Sequence, residues 1–422
     1  MSAPRVLIIG CGVAGPVLAV LLKQKGYDPI MFEKVRQLGD VGASLMLMPN
    51  GIKVLQLVGL ADAVKAESAP LQGFWEGKAT GEMLAESDLP STFLAKYGQP
   101  AAGVKRTSLN MMLKDMLLDL GVEVREGWKL ATVSETDEDV TALFENGQSV
   151  KGSFLIGGDG IKASSRAAML NLQGVPQSAP NYTGLVQVAG ISETPEEFLE
   201  KAIKRNWYGQ GAHVIAYPIS PTLTSWAITM PEDQEAEETW HLYTPGSIKT
   251  EAGNLVTMLD GWDPTLHRMI TSAQRVIKYG LFDRAHLQPH QWYTERCVLV
   301  GDAAHPTSPH LGQGANQALE DCYHLSIAMP VIDPKSDDYG RALETLGKYL
   351  SKNIFAPFAE KRQPRTSALV KGARIQGELR VSRDPQRCQE RDALIRDSFK
   401  DSAAVEAQYD SLLREPFQQT SS

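Results

Sequence analysis

Long apolar runs are missing from this chain: no stretch approaches eighteen consecutive apolar residues, so no membrane-spanning helix is expected. Cysteine is scarce. The four present, Cys11, Cys297, Cys322 and Cys388, are widely spaced, with neither CxxC pairs nor zinc-ligand spacing, which suits free thiols in a reducing compartment and no metal site. Positive charge is not in excess; the net charge of −8 argues against nucleic-acid and anionic-membrane partners. There is no internal repeat and no low-complexity segment. The apolar residues 6–9 are too short for the core of a signal peptide, and the final residues, REPFQQTSS, are polar, so a cytoplasmic protein is expected. What remains is 43% apolar and 22% charged over 422 residues, a globular composition with length for two or three packed units.

The stretch RVLIIGCGVAGPVLAVLLKQKGYDPIMFEK, residues 5–34, holds the first chemical signal. Residues 6–9 read as a buried parallel strand. Gly10, Gly12 and Gly15 follow with G-x-G-x-x-G spacing: a tight turn, a close backbone approach to a pyrophosphate, and a close helix–strand contact. A helix over 16–25 would aim its positive end at that phosphate. A second strand over 28–32 leads to Glu33, where an acid can bond ribose hydroxyls. This pattern binds a dinucleotide without choosing between FAD and NAD.

Two later islands choose. FLIGGDG (154–160) and CVLVGDAAH (297–305) are apolar strands running into glycine–acid turns, and the second leads to the loop GQGAN (312–316) and a helix expected from about 316. Ligand-binding residues leave an open sheet at its strand ends, so Asp302 is placed to bind the ribityl hydroxyls of a flavin. Glycines opening a helix can present N–H groups to the flavin's electron-rich edge.

These islands, in this order, resemble the group A FAD-dependent aromatic monooxygenases of the p-hydroxybenzoate hydroxylase type. Fragments such as VGASLMLMPNGIKVLQLVGL (41–60), KRTSLNMML (105–113), LFDR (281–284) and EKRQPRT (360–366) are similar to the salicylate hydroxylase-like branch. The resemblance covers residues 5 to about 375. It implies that Gly10, Gly12, Gly15 and Glu33 hold the ADP half of FAD, that Gly42 and Ala43 meet the cofactor through their backbone, and that Arg106 contacts it. Asp159 falls in the family's Asp-Gly motif, Asp302 in its Gly-Asp motif, and Gly314 and Ala315 in its flavin-ring loop. One departure is Ala163, in a slot that usually carries serine, with Ser164 one place later.

The implied fold is α/β: a Rossmann-like FAD-binding domain (1–72, 101–180 and 281–330) interleaved with a β-sheet-rich substrate domain (73–100 and 181–280), plus a C-terminal helical region (331–422). The implied reaction takes electrons from NADH or NADPH, captures O2 as a flavin C4a-hydroperoxide, and hydroxylates an aromatic or heteroaromatic small molecule. No second G-x-G-x-x-G follows a strand, so the nicotinamide cosubstrate would bind transiently. Within GAHVIAYPI, His213 and Tyr217 lie four apart on one strand and project from the same face, as a His and a Tyr often do in this branch. His213 is the candidate base and Tyr217 the candidate hydrogen-bond partner, against the alternative of a satisfied core histidine. After YTG (182–184), Gln187 and Ala189 stand where several relatives carry an aromatic–arginine pair, which favours a larger neutral phenolic, indolic or polycyclic substrate over a small carboxylated one. Epoxidation or rearrangement of an alkene or indole is the alternative chemistry, and a non-catalytic flavin-fold binding protein a further one. A monomer or homodimer is expected.

Overall fold

The computed structural model describes residues 3–36, 42–234 and 241–418. Five parallel strands form the first sheet, in the order Cys297–Leu299, Phe154–Gly157, Arg5–Ile9, Asp28–Glu33 and Glu123–Glu126. Its three central strands are almost wholly buried, which is why they read as continuous apolar runs rather than alternating ones. The helix after the first strand runs Ala14–Gln24, beginning two residues before its expected start. The helix after the glycine loop runs Gly314–Ala328, and it packs against the Ala14–Gln24 helix. Both start early for one reason: glycine and alanine in the first turn tolerate the helical backbone while leaving their N–H groups open.

An eight-stranded sheet runs His241–Leu242, Ala273–Asp283, Asn181–Glu193, Leu223–Pro231, His213–Pro218, Ile203–Tyr208, Gly73–Lys78 and Met83–Ser87. Every neighbour pair is antiparallel except Ile203–Tyr208 with Gly73–Lys78, so chain segments far apart in sequence meet in one sheet. Alternation along these strands divides their residues. Val188, Val214, Ala216, Trp226 and Ile228 pack under the helices Pro245–Met258 and Pro264–Thr271. Their neighbours, among them Gln187, Ile215, Tyr217 and Ala227, face a large cavity instead.

Past residue 331, the helices Tyr339–Lys348, Ala356–Arg380, Pro385–Ser398 and Ser402–Leu413 are built into the body of the molecule. Arg362, on the second of these, is buried between two carboxylates of the Gly314–Ala328 helix: its Nη1 donates to Glu320 Oε2 and its Nε to Asp321 Oδ1, both at 2.7 Å. Arg365 adds a bidentate contact to Glu320 at 2.8 and 2.9 Å. Asp321 Oδ2 also accepts from Gly301 N–H at 2.8 Å and His305 Nε2 at 2.6 Å. Burial alone would raise both carboxyls. At Asp321 the His305 and Arg362 contacts outweigh it, at Glu320 the two arginines do, and both acids are held below the usual carboxylate range. The final helix is pinned by Lys53, whose buried ammonium donates to the carbonyls of Leu413, Arg414, Glu415 and Phe417 at 2.9 to 3.2 Å.

Removing one partner of such a cluster strands the others in the interior. Arg362→Met is therefore expected to lower unfolding stability by about 3–5 kcal/mol. A urea titration followed by tryptophan fluorescence checks this; an unchanged midpoint would show that the cluster is not structural.

Candidate functional site

One cavity of ≈ 700 Å³ runs between the carboxyl ends of the parallel strands and the face of the eight-stranded sheet. Gly10, Gly12, Glu33, Ala43, Arg106, Asp159, Asp302, Gly314, Ala315 and Tyr217 all line it. These residues come from chain segments three hundred positions apart, and the sheet's strand ends bring them together.

The glycine turn shows what shape of ligand this end accepts. Gly10 has φ 102°, and a Cβ there would lie 2.5 Å from the Gly158 carbonyl oxygen, so no other residue fits. A Cβ on Gly12 would meet nothing within 4 Å: the space beside it belongs to the cavity. Gly15 does not line the cavity. Its Cβ would collide with the Gly10 carbonyl at 2.1 Å, so its part is close packing of helix on turn rather than ligand contact. Gly42, buried with φ 122°, likewise stands behind the lining, and Ala43 is the residue that reaches it. Its neighbours 37–41 lie outside the described residues.

Neither the Ala14–Gln24 helix nor the Gly314–Ala328 helix has a side-chain cap or an acid in its first turn. Their N-terminal N–H groups remain available to an anionic or electron-rich ligand. Glu33 is held in place by accepting from Cys11 N–H at 2.8 Å and Val35 N–H at 3.0 Å, while its carboxylate borders the cavity. Asp159 accepts from the backbone N–H of Ser165 at 3.1 Å and from the Ser165 hydroxyl. It thereby caps the helix Ser164–Leu172, whose own N-cap, Ala163, offers no side-chain oxygen. The serine-to-alanine departure is thus compensated locally. Enclosure raises the Asp159 carboxyl, opposed by these bonds. Enclosure likewise raises Asp302, offset by His305 and Arg106. His305 is occupied with Asp321 and stacks on Trp292 at 5.3 Å, which makes it a brace for the Gly-Asp loop.

The open space beside Gly12, two uncapped helix starts, an acid at the end of the second strand and Asp302 at the last form a cradle that fits FAD along its length. Gly10, Gly12 and Glu33 would hold the ADP half, and Arg106, Asp159, Asp302, Gly314 and Ala315 the remainder.

The sheet face opposite carries polar groups that sequence reasoning missed. Tyr217 shares a 2.7 Å hydrogen bond with Ser44 Oγ, Ser44 donates to Ser225 Oγ at 2.7 Å, and Ser225 donates to the Gly190 carbonyl at 3.2 Å. Because each serine proton is committed onward, Tyr217 is the donor in its bond. Its phenolic oxygen keeps lone pairs for the cavity. Burial pushes the Tyr217 hydroxyl up to about 12. Gln187 accepts from the Tyr279 hydroxyl and donates to Thr229 Oγ1 at 3.0 Å. No local motif marks Ser44, Ser225 or Tyr279; only strand pairing places them here.

His213 shares the sheet face of Tyr217, as four-residue spacing requires, but does not itself line the cavity. It is 1% exposed, and its Nε2 donates to Asn206 Oδ1 at 3.0 Å. Asn206 Nδ2 donates in turn to Glu76 Oε1 at 3.0 Å, and the Tyr208 hydroxyl to Glu76 Oε2 at 2.7 Å. Burial, with nearby cations, drives the His213 imidazole well below its ordinary value, so it is neutral. The satisfied core histidine describes its position better than a pocket base does.

The family described as "FAD binding domain" matches residues 4–331. A 3-amino-4-hydroxybenzoate 2-monooxygenase of Streptomyces cremeus is 31% identical over 93% of this chain and 91% of its own length. A 6-hydroxynicotinate 3-monooxygenase of Pseudomonas fluorescens is 25% identical over 92% of this chain and 94% of its own. In fold, the chain is similar to Klebsiella pneumoniae HpxO solved with FAD and uric acid, at a TM-score of 0.80, 23% identity and coverage of 98% and 97% of the two chains.

Open space beside Gly12 predicts a separation of folding from cofactor binding. Gly12→Val is expected to fold but to lose at least about tenfold in FAD affinity, the equivalent of ~1.4 kcal/mol. Flavin content after reconstitution and the melting temperature of the apoprotein read the two effects; wild-type flavin content in Gly12→Val would place the cofactor elsewhere.

Proposed function

The chain belongs to the FAD-dependent aromatic monooxygenases, and from that premise we propose that it hydroxylates a phenolic or N-heteroaromatic ring that lies against the Tyr217 face of the cavity. Support comes from the cavity itself, which joins the Gly12–Asp302–Gly314 cradle to the sheet face bearing Ile215, Tyr217, Ala227 and Tyr279 without an intervening wall. The ring systems named for the relatives, an aminohydroxybenzoate and a hydroxynicotinate, are of this class. When bound, FAD supplies reduction by NADH or NADPH, activation of O2 and delivery of one oxygen atom to the substrate.

The chain's own residues orient and shield. Ile215, Ala227 and Ala189 give the ring an apolar bed, which excludes water from the reacting face. Tyr217, with its proton committed to Ser44, accepts a hydrogen bond from the substrate hydroxyl. That bond enriches the ring in electrons and fixes which carbon faces the oxygen donor. His213 acts as a positioning residue: through Asn206 and Glu76 it ties together the strands Gly73–Lys78, Ile203–Tyr208 and His213–Pro218. Free thiols throughout the described residues accord with a cytoplasmic site of action.

The reading is tested by purifying the protein with its flavin and following substrate-stimulated NADH and NADPH consumption alongside 18O2 incorporation into product. Protein that takes up no flavin would overturn it. Tyr217→Phe should retain FAD but lower the hydroxylation yield per NAD(P)H by about tenfold, the size expected of one lost hydrogen bond at a reacting group, with hydrogen peroxide rising to match. Unchanged coupling would remove Tyr217 from the chemistry. Tyr217 lies at about 12 and His213 far below its ordinary value, so neither changes protonation between roughly pH 6 and pH 9. A rate limb in that range should therefore move with the phenol pKa across a series of ring-substituted substrates.

A further inference from the structure

Two cations, Lys204 and Arg380, line the same cavity, and the cofactor cradle uses neither. Lys204 stands on Ile203–Tyr208, directly across from Phe74 on one side. On the other side, the register Arg205 to Ala216 puts Lys204 level with Tyr217. Phe74, Lys204 and Tyr217 thus form one row across the sheet, and that row faces the cavity. Lys204 Nζ lies 4.3 Å from the Phe74 ring centroid and, among the described residues, makes no salt bridge and no hydrogen bond. Arg380 ends the Ala356–Arg380 helix. Its Nη1 is fixed on the His310 carbonyl at 2.6 Å, and its Nε is buried without a hydrogen-bond partner among the described residues.

The surrounding charges do not balance. Glu76 is the carboxylate that acts on Lys204, and both its oxygens already accept from Asn206 and Tyr208. Arg391, behind Tyr208, is paired with Asp392. His213 and His310 add no charge, since burial and Arg380 hold His213 far down and His310 at about 3. Lys204 and Arg380 therefore set two cationic side chains against one carboxylate; burial and Arg380 hold the Lys204 ammonium below its ordinary value, and an anion arriving with the ligand favours its charged form. Phe74 and Tyr409 stack 5.3 Å apart beside this end of the cavity, and Leu412 completes the wall.

We infer that Lys204 and Arg380 form an anion subsite that takes the carboxylate of an aromatic acid while the ring lies toward Tyr217. The inference rests on the hydroxylase reading and names its substrate class. It reverses the expectation of a neutral substrate drawn from Gln187 and Ala189: those positions do lack a cation, and the charge is supplied from the neighbouring strand and the C-terminal helix instead. An acid in this orientation is oriented at two points, carboxylate at Lys204 and Arg380 and hydroxyl at Tyr217, so Lys204 and Arg380 determine specificity.

The test uses the flavin-loaded enzyme and matched pairs of one-ring and two-ring phenolic acids with their carboxamides, read by perturbation of the flavin absorbance and by stimulation of NAD(P)H oxidation. At least one acid should bind at least tenfold more tightly than its amide. Lys204→Met and Arg380→Met should each raise KM for that acid tenfold or more, with a smaller effect on kcat, and should erase the acid-over-amide preference; Lys204→Arg should restore it. Wild-type enzyme that shows no acid preference would overturn the inference without calling on any variant. So would a preference that survives both methionine substitutions. Wild-type protein that fails to take up flavin, by contrast, would sink the hydroxylase reading itself.

Discussion

Arg362 enters the interior with its guanidinium between Glu320 and Asp321, and most of the site's geometry hangs on that contact. The two acids sit on the helix that opens with Gly314 and Ala315. Asp321 reaches back to Gly301 N–H and His305, which shapes the loop that carries Asp302. Glu320 reaches forward to Asn50 at 2.7 Å, and Asn316 on the same helix accepts from Met48 N–H at 2.9 Å. One cation from the C-terminal region therefore holds the glycine loop, the Gly-Asp turn and the start of the Pro49–Leu57 helix in register. Buried ion clusters of this kind add little net stability over an apolar core, but they tolerate only one arrangement. A flavin site needs that single arrangement more than it needs extra stability.

The cavity is zoned by charge in a way that matches its two tasks. Its cofactor end offers backbone N–H groups, Arg106 and hydroxyl-seeking acids. Along its middle runs an apolar floor bearing the Tyr217 and Tyr279 phenols, both kept protonated by burial. The far end is cationic and walled by aromatic rings. Histidines near that end are neutral because burial and neighbouring cations disfavour a further charge. The polar network behind the floor is satisfied internally, so it stiffens the sheet without competing for ligand.

Much of the cofactor cradle was legible along the chain because its parts are local. A strand, a glycine turn and a helix within twenty residues need only neighbouring φ/ψ preferences and backbone access, and those are written in residue type. Errors of two residues at the starts of the Ala14–Gln24 and Gly314–Ala328 helices reflect how freely small residues extend a first turn. Gly15 illustrates a subtler limit. Spacing says where glycine is required, but not whether the missing side chain makes room for a ligand or for the protein's own backbone. His213, readable along the chain as either a pocket base or a satisfied core histidine, shows a related limit. Its face follows from the four-residue spacing to Tyr217, but its depth depends on Asn206, Glu76 and Tyr208, which belong to two other strands, and on the C-terminal helices above them.

By itself, the order of residues pointed to a dinucleotide, and to a flavin, through glycine–acid turns at strand ends, and to an opposing β-rich wall through the family resemblance together with β-prone stretches. Tertiary structure decided what that wall presents. Ser44 beside Tyr217, and Arg380 beside Lys204, are brought together across 173 and 176 residues by strand register and helix docking. No local rule encodes such meetings, because they exist only once the hydrophobic faces have found each other and excluded water.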